Sequence, residues 1–189
     1  LDLADERVPT IPTALVEPGR SATFDLPNWI VKPAVGAGSR DVRAFEVGQE
    51  NEAAAHVAYL HSRGIAALVQ PLLASVASDG EWPMVYFDGR FSHSANKRVR
   101  LVGEDGADEL FARETNTPHI AEPEQLEAAD RAMAVVERRF GRLTYARVDL
   151  VRGDDGGYCV LEVELDEPSL MLPEGGVAAV DRLARVLVD

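Results

Sequence analysis

The chain has 189 residues, 46% of them hydrophobic, enough for one domain or two small lobes around a buried core. Its 19 Lys and Arg against 32 Asp and Glu leave a net charge of −13. Such a surface repels nucleic acid and anionic membranes, so partners of either kind are excluded. The one cysteine, Cys159, excludes an internal disulfide framework and a cysteine-rich zinc site, and it points to a reducing, cytoplasmic setting. No apolar run approaches the roughly 20 residues that span a bilayer. The chain opens at Leu1 with no basic-then-apolar leader, which is the pattern expected of a piece of a longer protein.

In chain order, Thr10 to Val16 predicts a short edge strand, where Pro12 is tolerated. Trp29-Ile30-Val31 reads as a buried strand and runs into Lys32-Pro33 and the small-residue loop Gly36-Ala37-Gly38-Ser39. Ala53 to Leu60 is alanine-rich and helical, with Gly64 as its stop. Ala66 to Gln70 is the next strand, ended by Pro71, and the break after it divides the chain into lobes of 1–71 and 72–189. Met84–Phe87 and Phe91–Arg98 flank Asp88-Gly89, a strong hairpin signal. Residues 103–123 are polar and read as a long loop. Glu124 to Phe140 carries Leu126, Ala129, Met133 and Val136 on one helical face. Thr144–Val151 and Tyr158–Leu165 form a second hairpin around Asp154-Asp155-Gly156-Gly157, and a last helix runs from about Glu174 to Leu187.

The second hairpin is the most informative feature. With Asp155-Gly156 as a two-residue turn, Asp149 lies opposite Glu162 and Arg147 opposite Glu164. Side chains alternate across a strand, so these four share one face, while Val148, Leu150, Leu161 and Val163 form the apolar one. A one-residue bulge would shift the register and keep the parity within each strand. Clustered carboxylates repel unless cations join them. Arg147 is one cation, and a hard ion with oxygen ligands, Mg²⁺ or Mn²⁺, is the other expected at Asp149, Glu162 and Glu164. The bland alternative is a solvated acidic face.

The glycine loop points the same way. Lys32 followed by Pro-Ala-Val-Gly-Ala-Gly-Ser offers a cation and exposed backbone N–H groups to phosphate oxygens. The lysine precedes the glycines, so this is neither a Walker A loop nor a Gly-x-Gly-x-x-Gly turn. An ordinary turn is the alternative. Mg²⁺ is usually held by a few carboxylates together with substrate phosphates, which makes a nucleoside triphosphate the natural ligand of both features.

Val31-Lys32-Pro33 with its glycine loop, Val69-Gln70-Pro71-Leu72-Leu73, Tyr145 to Leu150, and Leu161 to Glu164 leading to Glu167-Pro168-Ser169 occur in that order. Together they resemble the ATP-grasp superfamily, and within it the glutathione synthetase-like and D-alanine–D-alanine ligase-like carboxylate–amine ligases. The resemblance implies an α+β fold of two lobes with mostly antiparallel sheets enclosing ATP. It implies that Lys32 contacts the α- and β-phosphates, that Gly36, Ala37, Gly38 and Ser39 form a lid over the triphosphate, and that Gln70, Pro71, Leu72 and Leu73 meet the adenine. Glu81 would hold the ribose hydroxyls, Lys97 or Arg98 would face the phosphates, and Arg147 would stabilise the transferred phosphoryl group. Asp149, Glu162 and Glu164 would bind magnesium, although the last position is often asparagine in relatives.

The implied reaction joins a small carboxylate to an amine or thiol through an acyl phosphate, with release of ADP and phosphate. Positioning and charge stabilisation carry such chemistry, and no Ser/His/Asp or Cys/His constellation is needed. The competing readings are a nucleotide-binding domain without turnover and a metal-dependent phosphohydrolase. The resemblance also places a further lysine and an N-terminal domain upstream of Leu1, so these residues alone are expected to bind nucleotide weakly and ligate poorly. Self-association into homo-oligomers is common among such relatives. His56, His61 and Cys159 read as packing or surface residues. His93 alternates along a strand and is a candidate to face the nucleotide or acceptor without direct catalysis, and His119 in the long loop is a candidate substrate contact.

Overall fold

The computed structural model describes residues 3–25, 27–36, 40–99 and 114–188. The chain folds as two compact units, residues 11–72 forming one and residues 3–10, 73–99 and 114–188 the other. The first ten residues thus depart from the sequence-based lobe of 1–71. The reason is burial: Leu3 and Val8 join the core of the larger unit, and Val160 N–H donates to the Pro9 carbonyl at 2.8 Å.

The smaller unit is a four-stranded antiparallel sheet of β1 (Ala14–Val16), β2 (Asn28–Pro33), β3 (Arg43–Glu46) and β4 (Ala67–Pro71), in the order β1-β4-β2-β3. Trp29 and Val31 alternate inward along β2, opposite Phe45 on β3 and Val69 on β4. Helix α1 (Glu50–Ser62) seals this face with Ala53, Val57 and Leu60, one helical stripe. It starts three residues before the apolar run because Glu50 and Glu52 suit the positive end of the helix dipole. Gly64, at φ 72°, ends it as expected. The predicted edge strand shrinks to three residues beyond Pro12, and β3 was absent from the reading because only Phe45 of its four residues is buried.

The larger unit is built on a five-stranded antiparallel sheet. A short helix α2 (Ala74–Ser78) leads to β5 (Trp82–Phe87), β6 (Arg90–Val99), β7 (Glu114–His119), β8 (Tyr145–Arg152) and β9 (Tyr158–Glu164), ordered β7-β6-β5-β8-β9. Helix α3 (Pro123–Phe140) packs Ala129, Met133 and Val136 against Met84, Tyr86, Val148 and Leu150 on one sheet face. Glu122 and Gln125 form a capping box at its start, with Pro123 just inside. Helix α4 (Leu172–Val188) sets Leu183 and Val186 against Val85, Phe87 and Ala95 on the opposite face. Covered on both faces, β5 is buried at every position.

Asp88 (φ 49°) and Gly89 (φ 68°) make the expected two-residue turn, with Phe87 paired to Arg90. Residues 114–119 of the predicted loop are instead strand β7, an edge strand without an apolar alternation to betray it. Residues 103–113 of that stretch lie outside the described residues, and Pro123 at its end already belongs to α3.

The second hairpin pairs Arg147 with Glu164 and Asp149 with Glu162 as predicted, by two departures that cancel. The turn spans residues 153–157, closed by Gly153 N–H to the Gly157 carbonyl at 2.8 Å, so Arg152 pairs with Tyr158. A bulge between Asp149 and Leu150 then restores the expected register for the charged residues. The bulge also breaks the parity of β9: Tyr158, Val160 and Val163 face the α3 core, and Leu161 does not belong to it.

Candidate active site

On the face of the larger sheet away from α3, residues from strands β6, β8 and β9 converge with Glu81, which directly precedes β5. Asp149 on β8 is fully buried, and Arg147, two positions earlier on the same face, clamps it from Nε to Oδ1 at 2.7 Å and Nη2 to Oδ2 at 2.9 Å. Such bidentate pairing fixes the plane of both groups. Arg147 Nη2 also donates to Glu164 Oε1 at 2.6 Å and lies 3.8 Å from Glu162 Oε1. Its Nη1 donates to the backbone carbonyl of Ser169 at 3.1 Å.

Lys97 enters from β6. Its Nζ lies 2.9 Å from Glu81 Oε2 and 3.9 Å from Asp149 Oδ2. The backbones of Glu81 and Lys97 are bridged by a reciprocal pair of 2.8 Å hydrogen bonds, which sets these two side chains together. Arg98, the alternative to Lys97, has the opposite strand parity and donates to the Ser78 carbonyl at 3.0 Å and to Asn96 Oδ1 at 3.1 Å. Only Lys97 of the two reaches the carboxylates. Glu81, expected at a ribose, holds Lys97, a link invisible without the 81–97 bridge.

Burial and charge set the protonation states. Burial pushes Asp149 up to about 7 in spite of Arg147, and the nearby Glu162 carboxylate adds to the rise. Glu164 is raised as well, by burial first and by Glu162 as a like charge. Burial pulls Lys97 down, but Glu81 and Asp149 outweigh it and the ammonium ends above its ordinary value.

Four carboxylates (Glu81, Asp149, Glu162 and Glu164) thus meet two cations (Arg147 and Lys97), two negative charges in excess. Asp149, Glu162 and Glu164 each bring an oxygen within 4.8 Å of the others. An all-oxygen donor set with an excess of two negative charges fits a hard divalent cation. Exposure fits too: Glu162 and Glu164 are 40% and 32% exposed at the side chain, open enough to leave room for further oxygen ligands.

In the smaller unit, Lys32 is half-buried on β2 opposite Leu68. Gly36 follows it, and a Cβ there would lie 2.9 Å from the Pro33 ring, so the close approach requires glycine. Ala37, Gly38 and Ser39 lie outside the described residues. Gln70, buried on β4, donates its amide to Thr13 Oγ1 at 2.7 Å, Pro71 pairs with Trp29, and Leu72 N–H bonds the Asn28 carbonyl at 3.2 Å. Leu73, buried, precedes α2 in the larger unit.

No protein-family model matches the chain. A curated relative, the cycloserine biosynthesis protein DcsG of Streptomyces lavendulae, is 36% identical along the whole of this chain, which spans 67% of that relative. The crystal structure of the D-cycloserine synthetase DcsG superposes with a TM-score of 0.86 at 33% identity, over 98% of this chain and 66% of that one. D-alanine–D-alanine ligase from Bacillus anthracis, complexed with ATP, superposes at 0.68 and 18% identity over 98% of this chain and 60% of its own. The ATP-grasp ligase PsnB, complexed with its minimal precursor, does so at 0.61 and 16% over 98% and 57%. The fold that these superpositions share is the one described above, two units each built on an antiparallel sheet. The chain belongs to the ATP-grasp superfamily of ligases. It spans about two thirds of the length of the DcsG relatives that it matches.

Proposed function

We propose that this protein is an ATP-dependent carboxylate–amine ligase. The carrying observation is the cluster of Asp149, Glu162 and Glu164 clamped by Arg147, on the chain of an ATP-grasp family member. Lys32 and the loop Gly36 to Ser39 hold the triphosphate, Gln70 to Leu73 meet the adenine, and Lys97 supplies positive charge to the phosphates. Glu81 orients Lys97 by its 2.9 Å ion pair, and the ribose reading of Glu81 is carried on the family resemblance alone. Asp149, Glu162 and Glu164 would hold Mg²⁺, which supplies charge neutralisation of the triphosphate when bound.

In this reading the acyl substrate's carboxylate oxygen attacks the γ-phosphorus and ADP leaves, giving an acyl phosphate. An amine then displaces inorganic phosphate to form the amide. Arg147, already oriented on three sides, stabilises the charge of the transferred group without reorganising. Similarity to the cycloserine protein puts amino-acid-derived carboxylates and amines first in the search for substrates.

ATP with Mg²⁺ is expected to raise the melting temperature by mass action, and phosphate release is expected to depend on both a carboxylate and an amine. Phosphate release from ATP without either would favour a phosphohydrolase; stabilisation without turnover on any pair would favour an inert binder. Lys32→Ala is expected to raise KM for ATP about tenfold or more with a smaller change in kcat, since it removes one charge-assisted phosphate contact.

Metal affinity should depend on pH with a definite sign. A carboxylate must lose its proton to bind a cation, and Asp149 holds its proton up to about 7. Binding of Mn²⁺, followed by its magnetic resonance signal, is therefore expected to weaken as pH falls through 7. The metal-free protein behaves oppositely: a carboxyl raised in the folded state stabilises the fold as pH drops from about 7 toward the ordinary carboxylate range.

A further inference from the structure

His93 has no part in the site as described, yet it sits at the end of the row that contains Arg147. The cross-strand register places His93 opposite Val85, Val85 opposite Arg147, and Arg147 opposite Glu164. Residues in one such row share a sheet face. Against that face lie Ser169, Leu170 and Met171, the end of the segment that follows Glu164. Three successive carbonyls of this segment are held by two residues of the row. Arg147 Nη1 donates to Ser169 O at 3.1 Å, and His93 Nε2 lies 2.9 Å from Leu170 O and 3.1 Å from Met171 O.

The chemistry of the partners determines the state of the ring. Two carbonyls only accept, so His93 Nε2 carries a hydrogen. Nδ1 lies 2.9 Å from Ser92 Oγ. Arg182, on α4, donates from Nε to that same Oγ at 2.9 Å and from Nη2 to Ser92 O at 2.9 Å. A guanidinium cannot accept, so the Ser92 hydroxyl receives from Arg182, and beside a neutral ring it turns its own hydrogen to Nδ1. The ring is the neutral Nε2–H tautomer, and burial lowers its affinity for a second proton, with Arg182 adding to this.

The segment needs such holding. Glu167 and Met171 have φ of 51° and 47°, a left-handed region that disfavours non-glycine residues. The start of α4 presses on the other side of the ring: a Cβ on Gly175 would lie 2.5 Å from His93 Cδ2.

We propose that His93 is a positioning residue of the ligase site: its Nε2–H fixes the Leu165–Met171 segment on the sheet, and through Ser169 the segment fixes the Arg147 guanidinium. The inference rests on the ligase reading for its kinetic consequence and on the geometry alone for its structural one. In the purified protein, His93→Ala is expected to lower kcat for carboxylate- and amine-dependent phosphate release at least tenfold. Its Kd for a Mg²⁺-bound non-hydrolysable ATP analogue should stay within about threefold of the parent. His93→Gln, whose amide N–H replaces the Nε2 donor, should recover most of kcat. Amide hydrogen exchange at 169–172 should quicken in the alanine variant and not in the glutamine one. Long-range proton–nitrogen spectra of the parent should show an Nε2–H ring at neutral pH.

Unchanged kcat and unchanged exchange in His93→Ala would overturn the proposal, as would loss of kcat without rescue by glutamine. If no carboxylate–amine pair yields phosphate from the parent protein, the ligase reading fails first. The positioning claim is then decided by the ring and exchange signals. An Nδ1–H tautomer, or unchanged exchange in His93→Ala, overturns it.

Discussion

Asp149→Asn is expected to reduce ligation by at least about a thousandfold while the circular dichroism spectrum stays that of the parent. The side chain is fully buried and is the most tightly held of the three proposed ligands, with both oxygens clamped by Arg147. Asparagine keeps the shape but removes one negative charge from a site whose excess of two matches a divalent ion. Metal-assisted stabilisation of a phosphoryl oxygen contributes several kcal/mol, and each 1.36 kcal/mol is tenfold in rate. Glu162→Gln should act in the same direction and cost less stability, because Glu162 is 40% exposed and only 3.8 Å from Arg147 at its nearest. Titration with Mn²⁺ should show weakened binding in both variants. Normal turnover by Asp149→Asn would remove the metal assignment.

The second large effect concerns stability. Arg147→Met fills similar volume but leaves Asp149 with Lys97, 3.9 Å away, as its nearest cation. Breaking a buried pair from one side costs about 3–5 kcal/mol because the remaining charge stays in a dry site. Urea unfolding of the metal-free protein at pH 8 should show a loss of that size. Adding Asp149→Asn to Arg147→Met should then recover part of it, since the stranded charge is gone. A double variant less stable than Arg147→Met alone would contradict the account. The metal should compensate too: Mg²⁺ is expected to stabilise Arg147→Met more than it stabilises the parent.

These two experiments probe a site that was half legible beforehand. Alternation along β8 and β9 was enough to put Arg147, Asp149, Glu162 and Glu164 on one face, because each lies two residues from its neighbour on the same strand. The turn was misread as two residues when it is five, and the bulge at Asp149 corrected the register. Bulges and five-residue turns leave no periodic trace, and so Leu161 stood for Val160 in the expected core. Glu81 and Lys97 were both noted, but their partnership needed the bridge between distant backbone segments. The sequence puts His93 on an alternating strand as a candidate to face the nucleotide or acceptor, and it shares parity with Lys97 on β6. What parity alone would not supply is the segment whose carbonyls it holds, with two residues at positive φ.

Local pattern determined the element types and which side chains share a face, since a strand alternates and an amphipathic helix repeats within a few residues. The ordered short motifs determined the family. Tertiary structure decided which carboxylate is dry, which cation reaches it, and which of Lys97 and Arg98 faces the cluster. Burial and ion pairing depend on elements far apart in the chain, such as Glu81 beside Lys97 or Arg147 beneath Ser169. Their energies arise from the exclusion of water between those elements, which exists only once they have packed.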